Sequence, residues 1–179
     1  MNRGDLSEQF VSGEEIFRGG ILRLRRDVVR LPDGSQAVRE YVRHPGAVAI
    51  VALTGEGGVV LERQHRYPLG RDFIELPAGK LEPDEAHLET AQRELLEETG
   101  YVAAEWTRLG LVHNAIGYSD ESIELWLASG LEKRAANLDA GEFLEVFTLP
   151  FEEALAMAAD GRISDVKTII GLFWANRRR

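Results

Sequence analysis

Glu94, Glu97 and Glu98 stand within one and a half helical turns, in the stretch Arg93-Glu-Leu-Leu-Glu-Glu-Thr-Gly100. Carboxylates three and four residues apart on a helix repel one another unless a cation lies between them. On a helix these positions span an arc of roughly 100°, so the three side chains share one face. Hard divalent cations such as Mg²⁺ take oxygen ligands and keep several waters, which leaves room for substrate phosphates. A cation held this way can neutralise a pyrophosphate and polarise an attacking water. For any one of these glutamates alone, a solvated acidic helix face is the plain alternative.

The surrounding pattern supplies the elements that would position such a face. Gly79 and Pro83 open the segment, an uninterrupted helix-forming stretch fills it, and Gly100 closes it. Leu88, Ala91 and Leu95 fall on an adjacent arc and would anchor the helix to a sheet. Arg93 can turn back toward Glu85, fixing the helix against its preceding loop. The apolar run Ala47-Val-Ala-Ile-Val-Ala-Leu reads as a strand covered on both faces. Further strands are expected over 59–64, 73–77, 106–113, 122–128 and 145–149. Pro150 starts a helix that Asp160-Gly161 ends. Ile163, Val166, Ile169, Ile170, Phe173 and Trp174 recur at helical spacing, with Ser164 or Asp165 as the cap. Near the N-terminus, 21–31 and 36–42 alternate around the turn Pro32-Asp-Gly34, which predicts an antiparallel hairpin. Residues 1–14 read as a loosely docked polar arm. The sum is an α/β protein, a mixed sheet with helices on both sides.

Composition narrows the partners. The chain has 179 residues, 21 basic against 30 acidic, and a net charge of −9. That balance argues against nucleic acid, whose partners carry a basic face. No cysteine is present, so disulfides and thiolate metal sites are excluded. No apolar run approaches the length of a membrane span, and the first residues lack the apolar core of a signal peptide. A cytoplasmic protein without a membrane partner is expected.

Gly79, five residues, Glu85, seven residues, then Arg93-Glu94-Leu95-x-Glu97-Glu98-x-Gly100 resembles the Nudix box of the Nudix hydrolases at every fixed charged and glycine position. Tyr101 stands where the family usually has an aliphatic residue. Arg39-Glu-Tyr-Val-Arg-His-Pro-Gly-Ala-Val, Glu62-Arg-Gln-His-Arg-Tyr-Pro68, Glu75-Leu-Pro-Ala-Gly79 and Gly161-Arg-Ile-Ser-Asp165 are similar to the ADP-ribose pyrophosphatase branch. The likeness covers roughly residues 35–175. It implies the Nudix α/β/α sandwich for residues 46–179. Residues 1–45 would be an N-terminal arm and hairpin that contribute to a homodimer and to substrate contact.

The same resemblance implies roles residue by residue. Glu94 and Glu98 would be the main Mg²⁺ or Mn²⁺ ligands, with Glu97 close by and the Ala78 carbonyl completing the site. Gly79, Glu85 and Arg93 would form the structural brace. Arg66 and Arg63 would hold phosphate, and Arg39 and Glu40 would contact the adenine end. The general base falls to Glu142, with Asp139 second, or else to a box glutamate such as Glu98. The implied reaction is hydrolysis of ADP-ribose to AMP and ribose 5-phosphate. The branch often carries a proline in the loop after the box, and His113-Asn-Ala-Ile-Gly-Tyr-Ser-Asp-Glu121 has none. That keeps GDP-mannose, other nucleotide sugars, dinucleotides and nucleoside triphosphates open as substrates. A non-catalytic nucleotide-sugar sensor of the same fold is the remaining alternative.

Overall fold

The computed structural model describes residues 5–136, 141 and 143–178. In chain order the elements are β1 (Gln9–Arg18), β2 (Arg23–Arg30), β3 (Gln36–Arg43), β4 (Ala47–Ala52), β5 (Gly58–Arg66), β6 (Arg71–Glu75), β7 (Ala78–Lys80), α1 (His87–Thr99), β8 (Tyr101–Val112), β9 (Ile123–Lys133), β10 (Leu144–Pro150), α2 (Phe151–Asp160) and α3 (Val166–Asn176). They fall into two compact units, one of residues up to His44 with Ala115–Glu121, the other of Pro45–Asn114 with Ser122 onward.

The first unit is an antiparallel sheet in the order β1-β2-β3. The expected hairpin is there as β2 and β3, with Val28 opposite Val38. The arm expected over 1–14 is corrected, because from Gln9 onward it is strand, paired with β2 from Gln9↔Arg30 to Arg18↔Arg23. All ten residues of β1 are exposed, so no buried face imposes the alternation that would mark a strand in sequence. Asp27 is the polar centre of this sheet. It is buried, accepts from Tyr41 Oη at 2.8 Å and pairs with Arg25 at 3.0 Å. The loop 115–121 belongs to this unit through backbone bonds from Val42 N–H to Tyr118 O and from Asp120 N–H to Val42 O.

The second unit is layered around β4, whose six residues are all buried. A four-stranded sheet runs β7-β4-β9-β8, with β4 and β9 parallel and the other pairs antiparallel; a second sheet runs β10-β5-β6. Side chains alternate across a strand, and β4 shows the consequence. Val48, Ile50 and Ala52 pack with Ala91 and Leu95 of α1, whereas Ala47 and Ala49 pack toward Ile170 and Trp174 of α3. A strand sandwiched in this way must be apolar on both faces, which is the composition the sequence has. The expected α/β/α sandwich is borne out.

Gly100 and Gly110 are both tightly enclosed. Gly100 ends α1 in the left-handed region at φ 68°, and a Cβ there would lie 2.8 Å from the Arg134 carbonyl oxygen. Gly110 lies against the Trp174 ring, 2.6 Å from where its Cβ would be.

Candidate active site

β7 and α1 build the site between them. Ala91 and Leu95 are fully buried against the sheet, which turns the neighbouring arc of α1 toward the β7 backbone. Glu98 is therefore buried despite its charge, and its carboxylate accepts from the Ala78 N–H at 3.0 Å. Glu94, one turn earlier, lays its carboxylate over Gly79. A Cβ on Gly79 would fall 1.8 Å from Glu94 Oε1. Only glycine leaves that room, so the spacing from Gly79 to Glu94 has a steric cause.

Arg93 organises the acidic cluster. Its Nε and Nη2 hold the two oxygens of Glu85, each at 2.9 Å. Its Nη1 donates to Glu94 at 2.9 Å and to Glu97 at 3.0 Å, and Nη2 reaches the Lys80 carbonyl at 3.3 Å. Glu85 also accepts from the Thr90 hydroxyl at 2.8 Å and from the Glu82 N–H at 3.3 Å. The Arg93 guanidinium, helped by Thr90 and Glu82 and opposed by partial burial, holds the Glu85 carboxyl down at about 2. Arg93 is raised further above its ordinary range, first by Glu85 and then by Glu97 and Glu94. Of the expected brace residues, Glu85 and Arg93 are joined by hydrogen bonds, whereas Gly79 lies under the Glu94 carboxylate.

The four residues of the metal set, Ala78, Glu94, Glu97 and Glu98, gather around β7. Among the described residues, however, no three carboxylates close on one point. Glu94 and Glu97 lean on Arg93, the nearest cation, and Glu98 leans on a backbone N–H. One guanidinium serves three carboxylates, and Glu98 adds a fourth negative charge beside Ala78. An excess of hard oxygen donors at a glycine that leaves space fits a divalent cation of the Mg²⁺ type.

The two candidate phosphate arginines separate. Arg63 and Arg66 are three residues apart on β5, so they project from opposite faces. Arg66 holds Glu75 of β6 in a fork, Nε to Oε1 at 2.6 Å and Nη2 to Oε2 at 2.8 Å. Its pKa is raised chiefly by that bond, against burial, and the charges of Asp165 and Glu98 act on it as well. The charge of Glu98 on α1 thus reaches Arg66. Arg63 pairs with Glu145 and lines a cleft of about 240 Å³ with Arg71, Phe73 and Arg162. Arg162 is itself paired with Asp160 at 2.7 Å, so that cleft carries little net charge. Arg39 and Glu40 lie on β3 of the first unit, Arg39 paired with Glu8 and Glu40 with Arg26. Glu142 and Asp139, the expected bases, lie outside the described residues.

Sequence reasoning assigned no role to a buried polar group beside Arg66. Glu75 is buried, and its carboxylate also pairs with Lys167. Burial alone would raise the Glu75 carboxyl, but Arg66 and Lys167 together outweigh it and hold it below the ordinary value. Lys167 bonds Asp165 as well, at 3.1 Å. Asp165 caps α3 by accepting from the Thr168 N–H at 3.0 Å and its hydroxyl at 2.6 Å, and Thr168 Oγ1 accepts the Leu76 N–H at 2.8 Å. A signal was present, since a glutamate inside the apolar stretch Phe73-Ile-Glu-Leu-Pro needs a buried cationic partner.

The sandwich lays the Glu94 carboxylate, held by Arg93, over Gly79, and on β5 it holds Arg66 in a fork with Glu75. The chain belongs to the family described as NUDIX domain, whose model matches residues 43–169, and it is a pyrophosphohydrolase. Residues 8–42 match the nucleoside diphosphate sugar hydrolase N-terminal domain. The chain is 44% identical over 167 residues to the methanol dehydrogenase activator of Bacillus methanolicus, covering 92% of this chain and 90% of that protein. It is 42% identical over 167 residues to the ADP-ribose pyrophosphatase of Bacillus subtilis (strain 168), covering 91% and 89%. A crystal structure of an ADP compounds hydrolase shares the fold at a TM-score of 0.84 and 20% identity, covering 97% of this chain and 95% of that one. Among the described residues no helix is long and apolar enough to cross a membrane.

Proposed function

We propose that this chain hydrolyses the pyrophosphate bond of ADP-ribose, releasing AMP and ribose 5-phosphate, with Mg²⁺ as the resident metal and other nucleoside diphosphate sugars as slower substrates. The carboxylate cluster over Gly79, braced by Arg93, is the observation that carries the reaction class. Similarity to ADP-ribose pyrophosphatases supports the substrate, and similarity to GDP-mannose pyrophosphatases is the reason to test that sugar beside it.

Glu94, Glu98 and, nearby, Glu97 would hold the metal with the Ala78 backbone. A divalent cation held by these groups would supply neutralisation of phosphate charge and a more acidic bound water. The residues of the chain do the rest. Arg93 keeps Glu94 and Glu97 from swinging into solvent and fixes α1 on the 80–85 loop. Arg66, half-exposed and oriented by Glu75, offers a guanidinium to a substrate phosphate. A carboxylate, Glu142 or Glu98, takes the proton from the attacking water. Arg39 and Glu40 contact the adenine end.

The proposed working form is a cytoplasmic homodimer joined through residues 1–45. Phe10, Val11, Ile16, Phe17 and Val38 are exposed apolar side chains on the three-stranded sheet, available for such a contact.

The test is a substrate panel of ADP-ribose, GDP-mannose, dinucleotides and nucleoside triphosphates under Mg²⁺ and Mn²⁺, with phosphorylated products identified. ADP-ribose should give AMP, chelator should stop it, and Glu98→Gln should lower turnover by two or more orders of magnitude with the melting temperature kept. Near-normal turnover by that variant, or nucleotide binding without cleavage by the parent, would sink the assignment.

A further inference from the structure

Arg66 is useful to a substrate phosphate only while its charge remains available. Glu75, a buried carboxylate, draws on that charge directly. Glu75 takes Nε and Nη2, and Glu62, also buried, stands directly opposite Glu75 in the β5–β6 register. Like charges opposed on one sheet face are unfavourable, and in a dry setting both would draw on the nearest cation. Lys167 is the second cation on Glu75. Its side chain is 12% exposed against 44% for Arg66. It bonds Oε2, the oxygen that also accepts from Arg66 Nη2, so one carboxylate oxygen is shared between a buried and a half-exposed cation.

We propose that Lys167 is a positioning residue for catalysis. By sharing the Glu75 carboxylate, it lets Glu75 orient Arg66 without neutralising it, and so keeps Arg66 electropositive toward the substrate pyrophosphate. The proposal rests on the role given to Arg66 above. The geometry of α3 explains how Lys167 is kept in place. Asp165 caps the helix and holds the ammonium at 3.1 Å, while Thr168 Oγ1 ties the first turn to the Leu76 N–H at 2.8 Å. From Leu76 the chain passes straight to Ala78 and Gly79, so one helix start braces both the arginine and the strand that meets the catalytic carboxylates.

A purely structural role and the proposed one predict opposite results for a second substitution. Lys167→Met should lower kcat/KM on the order of ten-fold and weaken inorganic pyrophosphate binding in chelator by a similar factor, as expected for loss of one charge-assisted contact. Lys167→Arg should recover most of both. Adding Glu75→Gln to Lys167→Met should recover part of the loss, because the carboxylate that captures Arg66 is then neutral. A structural lysine would instead leave the double variant no better than Lys167→Met. The experiment is calorimetry of inorganic pyrophosphate on the four proteins in chelator, beside steady-state kinetics and melting temperatures under Mg²⁺. If Lys167→Met fails to stay folded, Lys167→Gln gives the same reading with a hydrogen bond to Glu75 retained. Recovery in the double variant supports the proposal; no recovery, or parental pyrophosphate affinity in the single variant, overturns it. A parent protein that cleaves no nucleotide sugar would refute the proposed function, and the order of pyrophosphate affinities would still judge Lys167.

Discussion

Replacing Gly79 by alanine separates what holds the fold from what holds the site. Gly79 lies in a strand and does not sit in the left-handed region, so its backbone accepts an alanine without strain. The added Cβ would lie 1.8 Å from Glu94 Oε1 and 1.9 Å from Glu94 Cδ. Those atoms fall short of ordinary contact by about 1.6 Å. They are the far end of a flexible side chain, so the carboxylate swings away and the strand remains. Its bond to Arg93 at 2.9 Å is lost in the process, a partly exposed contact worth about 1 kcal/mol or less. Stability should therefore fall by no more than about 1 kcal/mol. A ligand displaced by more than 1 Å is another matter, because misplacement on that scale costs about a hundred-fold in rate. Gly79→Ala should keep a cooperative melt within a few degrees of the parent, lose about two orders of magnitude in turnover, and require more Mg²⁺ for half-maximal rate. Turnover within three-fold of the parent, at unchanged metal demand, would refute the reading that Glu94 must sit over Gly79.

Other outcomes follow from the same geometry. Gly100→Ala is the converse case, since φ is 68° and the new Cβ would meet the Arg134 carbonyl oxygen and the Ala136 nitrogen at 2.8 and 2.9 Å. It should destabilise by about 1–3 kcal/mol in denaturant melts, well beyond Gly79→Ala. Glu85, held at about 2 in the fold against an ordinary 4.5, contributes stability that is fully present above pH 4.5. That contribution is lost as pH falls through the interval down to about 2. Melting temperatures of the parent should therefore drop across that interval more steeply than those of Glu85→Gln, and parallel curves would contradict it. A double-mutant cycle of Glu85→Gln with Arg93→Met should return a coupling of about 1–3 kcal/mol by urea unfolding, and additivity would dismiss the brace. Asp165→Ala should cost about 1–2 kcal/mol as a lost cap and lower kcat/KM in the same variant.

Much of this was legible in the chain itself. A 3.6-period pattern marks helices wherever one face is buried, and α1, α2 and α3 follow it, whereas β4, buried on both faces, is legible from its continuous apolar run. The box is legible for a further reason, since its spacing is local. Glu85, Arg93, Glu94, Glu97 and Glu98 lie on one helix and the turn before it, where sequence distance fixes spatial distance. β1 was not legible, because a strand with neither face buried carries no periodic signal. Arg63 and Arg66 show a subtler limit, as two arginines of one motif are sent to opposite faces by strand parity.

Contacts between residues distant in the chain were not legible in this way. Glu75 and Lys167 are 92 residues apart in sequence, and nothing in either neighbourhood names the other. Their meeting depends on α3 docking its capped N-terminus onto the end of β6. Which helix bears the carboxylates follows from residue order alone, because helical spacing is set by backbone geometry. The fold decided which arginine is held by Glu75, because that depends on strand parity and on where α3 docks.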